Sequence, residues 1–204
     1  MIHSVPGTRR GIQSNEHAHR FEPAGDFIER LEGKERRGLI PLGDIIPRLG
    51  LRSRDVAVDL GAGIGYFTFP MARLAGRVVS VDIEPRMLEV LASRARENGF
   101  DNVELVLGEI TSLPITASSV DQVFAAFVYH EVESQETLVG ECARILRRGG
   151  RLTVVDFQKR ETTIGPPVSE RKPPEHVIRT AGSMLDLSSR HETEVFYQLG
   201  FTKR

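Results

Sequence analysis

Val56-Ala57-Val58-Asp59-Leu60-Gly61-Ala62-Gly63-Ile64-Gly65-Tyr66-Phe67 is the stretch whose reading decides the fold. Its apolar run ends in Asp59 and opens into glycines at 61, 63 and 65, the pattern of a buried strand turning sharply beneath a small-molecule ligand. Glycine lets the backbone turn tightly and approach a ligand with no Cβ in the way. The helix that follows is expected to aim its N-terminal N–H groups, near Gly65 and Tyr66, back at that ligand. Taken alone, the alternating glycines also fit an ordinary strand-to-helix turn. A second apolar run, Val78-Val79-Ser80-Val81-Asp82, adds a carboxylate about one strand-helix-strand unit later, where a ribose diol would find its acceptors. Acids at two successive strand ends describe a pocket.

Working outward, five apolar runs alternate with helical patterns: Val56 to Leu60, Arg77 to Asp82, Val103 to Leu107, Gln122 to Val128 and Arg151 to Phe157. That alternation is the signature of an α/β fold, a parallel sheet with helices on both faces. Pro85 stands at a first helical position, Met87, Leu88, Leu91 and Ala95 form one apolar stripe, and Gly99 ends it. Ser134 is placed to cap a helix whose Leu138, Cys142, Ile145 and Leu146 face the sheet, with Gly149-Gly150 expected at its end. Beyond Phe157 the sequence makes a proline-rich excursion. A helix follows near Glu175 to Thr180, and then two strand candidates, Ser183 to Leu187 and Val195 to Thr202.

Ahead of the glycine turn, residues 1–20 are polar and aperiodic and read as a mobile tail. Residues 21–51 carry apolar positions at roughly helical spacing broken by Gly33, Pro41 and Pro47, which suggests short helices forming a lid over the ligand mouth, with the main domain at 52–204.

The chain has 204 residues, 40% hydrophobic and 27% charged, which suits one globular domain with an N-terminal extension. A formal net charge of -1 provides no overall basic field, so nucleic acid is not an expected partner. The single cysteine, Cys142, excludes an intramolecular disulfide framework, no apolar run approaches a membrane span, and Met1 to Arg20 lacks a signal-peptide core. The expected location is cytoplasmic. The oligomeric state is open, a homodimer among the options.

The glycine turn and the acid ending the second run resemble the class I S-adenosylmethionine-dependent methyltransferase family, whose first motif reads roughly V-L-D-x-G-x-G-x-G. The resemblance runs from about Phe21 to the C-terminus and is to the broad group of small stand-alone enzymes that includes quinone-biosynthesis methyltransferases. It implies a Rossmann-like, seven-stranded, mostly parallel sheet whose last two strands form an antiparallel hairpin. Against a nicotinamide cofactor, the dinucleotide fingerprint wants Gly or Ala where this chain has Tyr66.

S-adenosylmethionine carries a carboxylate and an amine at one end, a sulfonium in the middle and adenosine at the other. Asp59 with the backbone of Gly61, Ala62, Gly63, Gly65 and Tyr66 is expected to hold the amino-acid end, and Asp82 the ribose. Ile83 and Met87 offer apolar surface to adenine. Glu109, beside Ile110, stands where the family often has an Asp that accepts from the adenine amino group. Ala126 and Phe127 follow the family pattern in which a small residue and an aromatic border the cofactor before a histidine. That histidine, His130, with Glu131, is the place to seek a proton acceptor. Lys159 is a candidate for an anionic acceptor, and the resemblance adds Phe21 and Arg36 as substrate contacts. Each has a plainer alternative: a strand-end Asp can cap a helix, Glu109 can be a solvated loop acid, Phe127 can be core, and Lys159 a surface lysine.

His17 and His19 have no partners at metal-site spacing, so no metal is expected. Cys142 lies on an apolar stripe and reads as core. The several cysteines of arsenite enzymes, the N-P-P-Y type motif and the Pro-Cys motif of cytosine enzymes are missing. The reading is therefore a methyltransferase acting on a small molecule. The alternatives are a non-catalytic S-adenosylmethionine-binding regulatory subunit and a nicotinamide-dependent oxidoreductase.

Overall fold

The computed structural model describes Gly33 and residues 38–204. The expected tail and most of the expected lid, with Phe21 and Arg36, lie outside the described residues.

Strands β1 (Val56–Leu60), β2 (Arg77–Asp82), β3 (Val103–Leu107), β4 (Val120–Ala126), β5 (Leu146–Phe157), β6 (Leu185–Glu192) and β7 (Phe196–Lys203) form one sheet in the order β3-β2-β1-β4-β5-β7-β6. β1 to β5 pair in parallel, and β7 runs antiparallel to both β5 and β6, as the expected C-terminal hairpin requires. From β1 the strands are added outward in one direction through β2 to β3 and then in the other through β4 to β5, so the crevice between β1 and β4 is the switch point where such sheets place ligands.

The central strands are apolar on both faces because both are covered. Val58, Leu60, Val79, Val81, Val123, Ala125, Leu152 and Val154 pack against α4 (Gln135–Ile145) and α5 (Pro174–Ala181). The alternate residues Ala57, Val78, Phe124 and Val155 meet α1 (Leu42–Leu49) and α2 (Thr68–Ala72) on the other face. Burying one such aliphatic side chain is worth about 1.5–3 kcal/mol, so each face supplies a large share of the fold's stability.

Pro41 breaks the chain as expected, standing extended between the helical residues 38–39 and the start of α1, whereas Pro47, where a second break was expected, lies inside α1. Its Ile45, Ile46 and Leu49 are buried, and the buried Gln122 and Gln198 amides donate to the Leu49 and Ile45 carbonyls. This part of the expected lid is built into the helical layer.

α3 (Pro85–Glu97) starts on Pro85, with the Glu84 side chain accepting from Arg86 N–H, and buries the predicted stripe. Ser134 caps α4 by accepting from Thr137 N–H at 3.2 Å, an interaction worth about 1 kcal/mol.

Four boundaries differ from expectation. β4 covers Val120–Ala126 rather than 122–128, because Phe127 takes φ +58° and cannot continue the strand. α4 stops at Ile145, and Gly149-Gly150 lie within the irregular start of β5, where the register with β4 shifts and Gly149 has φ +75°. β6 is displaced to Leu185–Glu192, since this edge strand is mostly exposed and has no apolar pattern to mark it. The helix after the glycine turn begins at Thr68 and has five residues, so no helix N-terminus stands at Gly65 or Tyr66.

Candidate active site

The glycine turn closes against the end of β2. Gly61 and Ala62 N–H groups both donate to the Val81 carbonyl, at 2.9 and 3.0 Å, and Gly63 N–H donates to Asp82 Oδ2 at 2.7 Å. Gly61, Gly63 and Gly65 all have positive φ. A Cβ at Gly65 would stand 2.5 Å from the Phe69 ring, whereas one at Gly63 would meet nothing within 4 Å, so Gly63 borders open space.

Asp82 also accepts from Glu84 N–H through Oδ1 at 2.9 Å. Each oxygen thus holds one backbone N–H and keeps a further lone pair, a rigid two-acceptor fork beside the turn. Ile83, next to it, is 67% exposed although apolar, and Met87 is turned into the buried stripe of α3. Glu109 is exposed in the loop after β3, with Ile110 beside it packed on the core.

Asp59 is 2% exposed and bonded to Thr68 Oγ1 at 2.6 Å, and Ser80 Oγ donates on to Thr68 at 3.3 Å. Burial above all, with the Asp82 charge adding to it and the Thr68 bond opposing, lifts its pKa to about 7. The Tyr66 hydroxyl donates to the Ile40 carbonyl at 2.9 Å, tying the turn to α1's approach.

Across the switch point, Ala126 ends β4 and Phe127 sits in the left-handed region, buried, with its ring 4.6 Å from that of Phe157. A non-glycine residue at positive φ is strained, and such strain gathers at functional sites. The chain then forms a short 3₁₀ turn, Tyr129–Glu131. His130 Nδ1 lies 2.7 Å from Asp156 Oδ1, and His130 N–H donates to Asp156 Oδ2 at 3.0 Å. Nε2 is 3.8 Å from Glu131 Oε1. Burial disfavours the imidazolium, but the Asp156 hydrogen bond and charge, with Glu131 and Glu170, outweigh it and hold the His130 pKa above its ordinary value.

Sequence reasoning missed Asp156, although it ends the fifth apolar run in a carboxylate as Asp59 and Asp82 end theirs. It also missed Thr68, for which the sequence carries no signal. Lys159 is exposed just beyond β5. An open cleft of about 640 Å³ lies on the flank of the turn, lined by Ile64, Gly65, Tyr66, Phe69, Arg73 and Arg94 among others, and it includes neither Asp82 nor His130. Cys142 is buried and its thiol is pushed up to about 12 by burial, so it is inert packing. No helix among the described residues is long and apolar enough to cross a membrane.

A parallel sheet with an antiparallel seventh strand, a glycine turn at the switch point and a fixed acid at the end of β2 make up a Rossmann-like fold of the kind found in solved methyltransferase structures. Residues 58–154 match the family described as "Methyltransferase domain". Over that segment, just under half of the chain, it is similar to class I S-adenosylmethionine-dependent methyltransferases, UbiE-like proteins among them. It is similar to the ubiquinone/menaquinone biosynthesis C-methyltransferase UbiE of Hahella chejuensis, 35% identical over 118 residues, or 56% of this chain and 47% of that protein. It is also similar to the demethylmenaquinone methyltransferase of Tropheryma whipplei, 32% identical over 120 residues, or 58% of this chain and 48% of that protein. The matches thus span about half the length of these curated relatives. A solved methyltransferase structure from Aquifex aeolicus superposes with a TM-score of 0.82 at 21% identity, over 91% of this chain and 100% of that one. S-adenosylmethionine is the family's cofactor, and the open space at Gly63 beside the Asp82 fork and exposed Ile83 fits it.

Proposed function

We propose that this protein transfers a methyl group from S-adenosylmethionine to a small-molecule acceptor, and that His130, held by Asp156, takes the proton the acceptor gives up. The observation that carries the reading is the bond from Gly63 N–H to Asp82 Oδ2, which joins the two sequence motifs into one cradle with an apolar rim at Ile83.

Bound S-adenosylmethionine supplies a methyl carbon activated by its sulfonium leaving group. Asp82 accepts from the ribose hydroxyls with its two remaining lone pairs, while Ile83 offers apolar surface to adenine. Gly63, with open space beside it, leaves room for the amino-acid end, with Asp59 beneath the turn. The Phe127 and Phe157 rings exclude water beside His130, and alignment with desolvation carries much of the rate in such displacements. A carboxylate at Nδ1 fixes the imidazole proton there, so Nε2 is the atom that accepts from substrate.

The names of the UbiE and demethylmenaquinone methyltransferase relatives favour a carbon acceptor on a quinone precursor, and aromatic walls suit a planar ring. The test is radiolabelled methyl transfer to chemically reduced demethylmenaquinone alongside a panel of small phenols and amines. Labelled product with the reduced quinone supports the acceptor class. Cofactor binding without turnover on any of them would favour the regulatory-subunit reading.

A further inference from the structure

Arg171 is 3% exposed, and among the described residues no carboxylate lies within ion-pair distance of it. A buried guanidinium is tolerated only when its donors are satisfied. Nε donates to Pro166 O at 2.8 Å, Nη2 to Ile164 O at 3.2 Å, and Nη1 faces Arg160 O at 2.7 Å, Thr162 Oγ1 at 2.8 Å and Gln158 O at 3.2 Å. Thr162 closes the ring of contacts by donating to Ile164 O at 2.6 Å. Apart from a turn at 167–171, the excursion between β5 and α5 has no helix or strand of its own, and this one side chain collects carbonyls along it.

The same guanidinium stands 5.2 Å from the centroid of the Phe157 ring. Gly165, at φ +99°, presses so close to that ring that a Cβ would lie 2.9 Å from it. Phe157 in turn packs against Phe127 at 4.6 Å and against the His130 imidazole at 6.1 Å between centroids. A chain of contacts therefore runs from Arg171 through Phe157 to the proton acceptor, at the carboxyl ends of β4 and β5.

We propose that Arg171 is a positioning residue: by clasping the 158–166 segment over Phe157, it sets the wall beside His130 against which the acceptor rests. This rests on the methyltransferase reading for the word acceptor, while the clasp itself is independent of it. Lysine cannot replace it, because an ammonium has three donors on one atom and cannot span carbonyls arranged around a planar fork.

The experiment compares wild type with Arg171→Lys and Thr162→Val. Three readouts are used: hydrogen exchange of segment 158–171, the His130 Cε1–H resonance in histidine-labelled protein at fixed pH, and calorimetry with S-adenosylhomocysteine. Arg171→Lys should speed exchange in 158–171 by at least about tenfold while β1 and β4 stay protected, and should move or broaden the His130 resonance. S-adenosylhomocysteine affinity should be preserved. Thr162→Val, which removes one partner and leaves the guanidinium, should give a smaller change of the same kind, and it keeps the test open if Arg171→Lys fails to fold. Unchanged exchange and an unmoved His130 resonance would overturn the proposal. So would exchange rising equally in the loop and the strands, since Arg171 would then be general packing. Absence of S-adenosylhomocysteine binding in wild type would instead strike the methyltransferase reading and leave the clasp to be judged on the other two readouts.

Discussion

Asp156 grips His130 at two points, Oδ1 at 2.7 Å from the imidazole Nδ1 and Oδ2 at 3.0 Å from the residue's own backbone nitrogen. One carboxylate thus fixes both where the ring lies and which nitrogen carries its proton. Oδ1 also accepts from Phe157 N–H at 2.7 Å, so the aspartate is itself held by three bonds at the end of β5.

Asp156→Asn should lower turnover by about 10²–10⁴-fold while leaving cofactor affinity nearly unchanged, because it disturbs the proposed proton acceptor and not the cradle. The His130 pKa is raised, so the stabilisation that its protonated form gains from folding is full below about 6.5 and is lost as pH rises through the higher folded value. The stability difference between wild type and Asp156→Asn should therefore be largest in mildly acidic buffer and shrink as the solution becomes alkaline. Equal differences across that range, read from denaturant melts, would remove Asp156 as the cause.

For Asp59 the sign is opposite to that of an ordinary paired carboxylate. Its folded pKa of about 7 lies above the model-compound value of 3.8, so between these values the folded state holds more protons than the unfolded one. Stability falls as pH rises across that window, and the loss is complete above about 7, on the order of 4 kcal/mol. Asp59→Asn keeps the shape and removes the titration. It should flatten the stability curve between acidic and neutral pH and raise the melting temperature at neutral pH and above. Parallel curves for the two proteins would contradict this.

Gly63→Ala and Gly65→Ala separate binding from folding within one turn. Both positions have positive φ, which costs alanine roughly 1–2 kcal/mol. Gly65→Ala adds a clash with Phe69, so it should lower the melting temperature more. Gly63→Ala meets nothing in the protein and should instead cut affinity for S-adenosylhomocysteine beyond its small stability loss. Thermal melts with and without the ligand check both.

β1, β2 and β3 were legible at both ends, because Asp59, Asp82 and the turn glycines punctuate apolar runs that pairing then fixes in register. β4 was misplaced because Val120 and Asp121 extend it backwards and the strain at Phe127 ends it, and neither is written in an apolar pattern. The cradle was legible because its parts lie on motifs. The grip of Asp156 on His130 was not, since it joins residues 26 apart in sequence through a strand pairing that spacing does not reveal.

Calorimetry of S-adenosylhomocysteine with wild type and Asp82→Ala, with NAD as the control, tests the cradle most directly. The account predicts saturable one-to-one binding by wild type, a loss of roughly 1.5–3 kcal/mol in Asp82→Ala, and no heat with NAD. Binding of NAD without S-adenosylhomocysteine, or an unchanged affinity in Asp82→Ala, would contradict it.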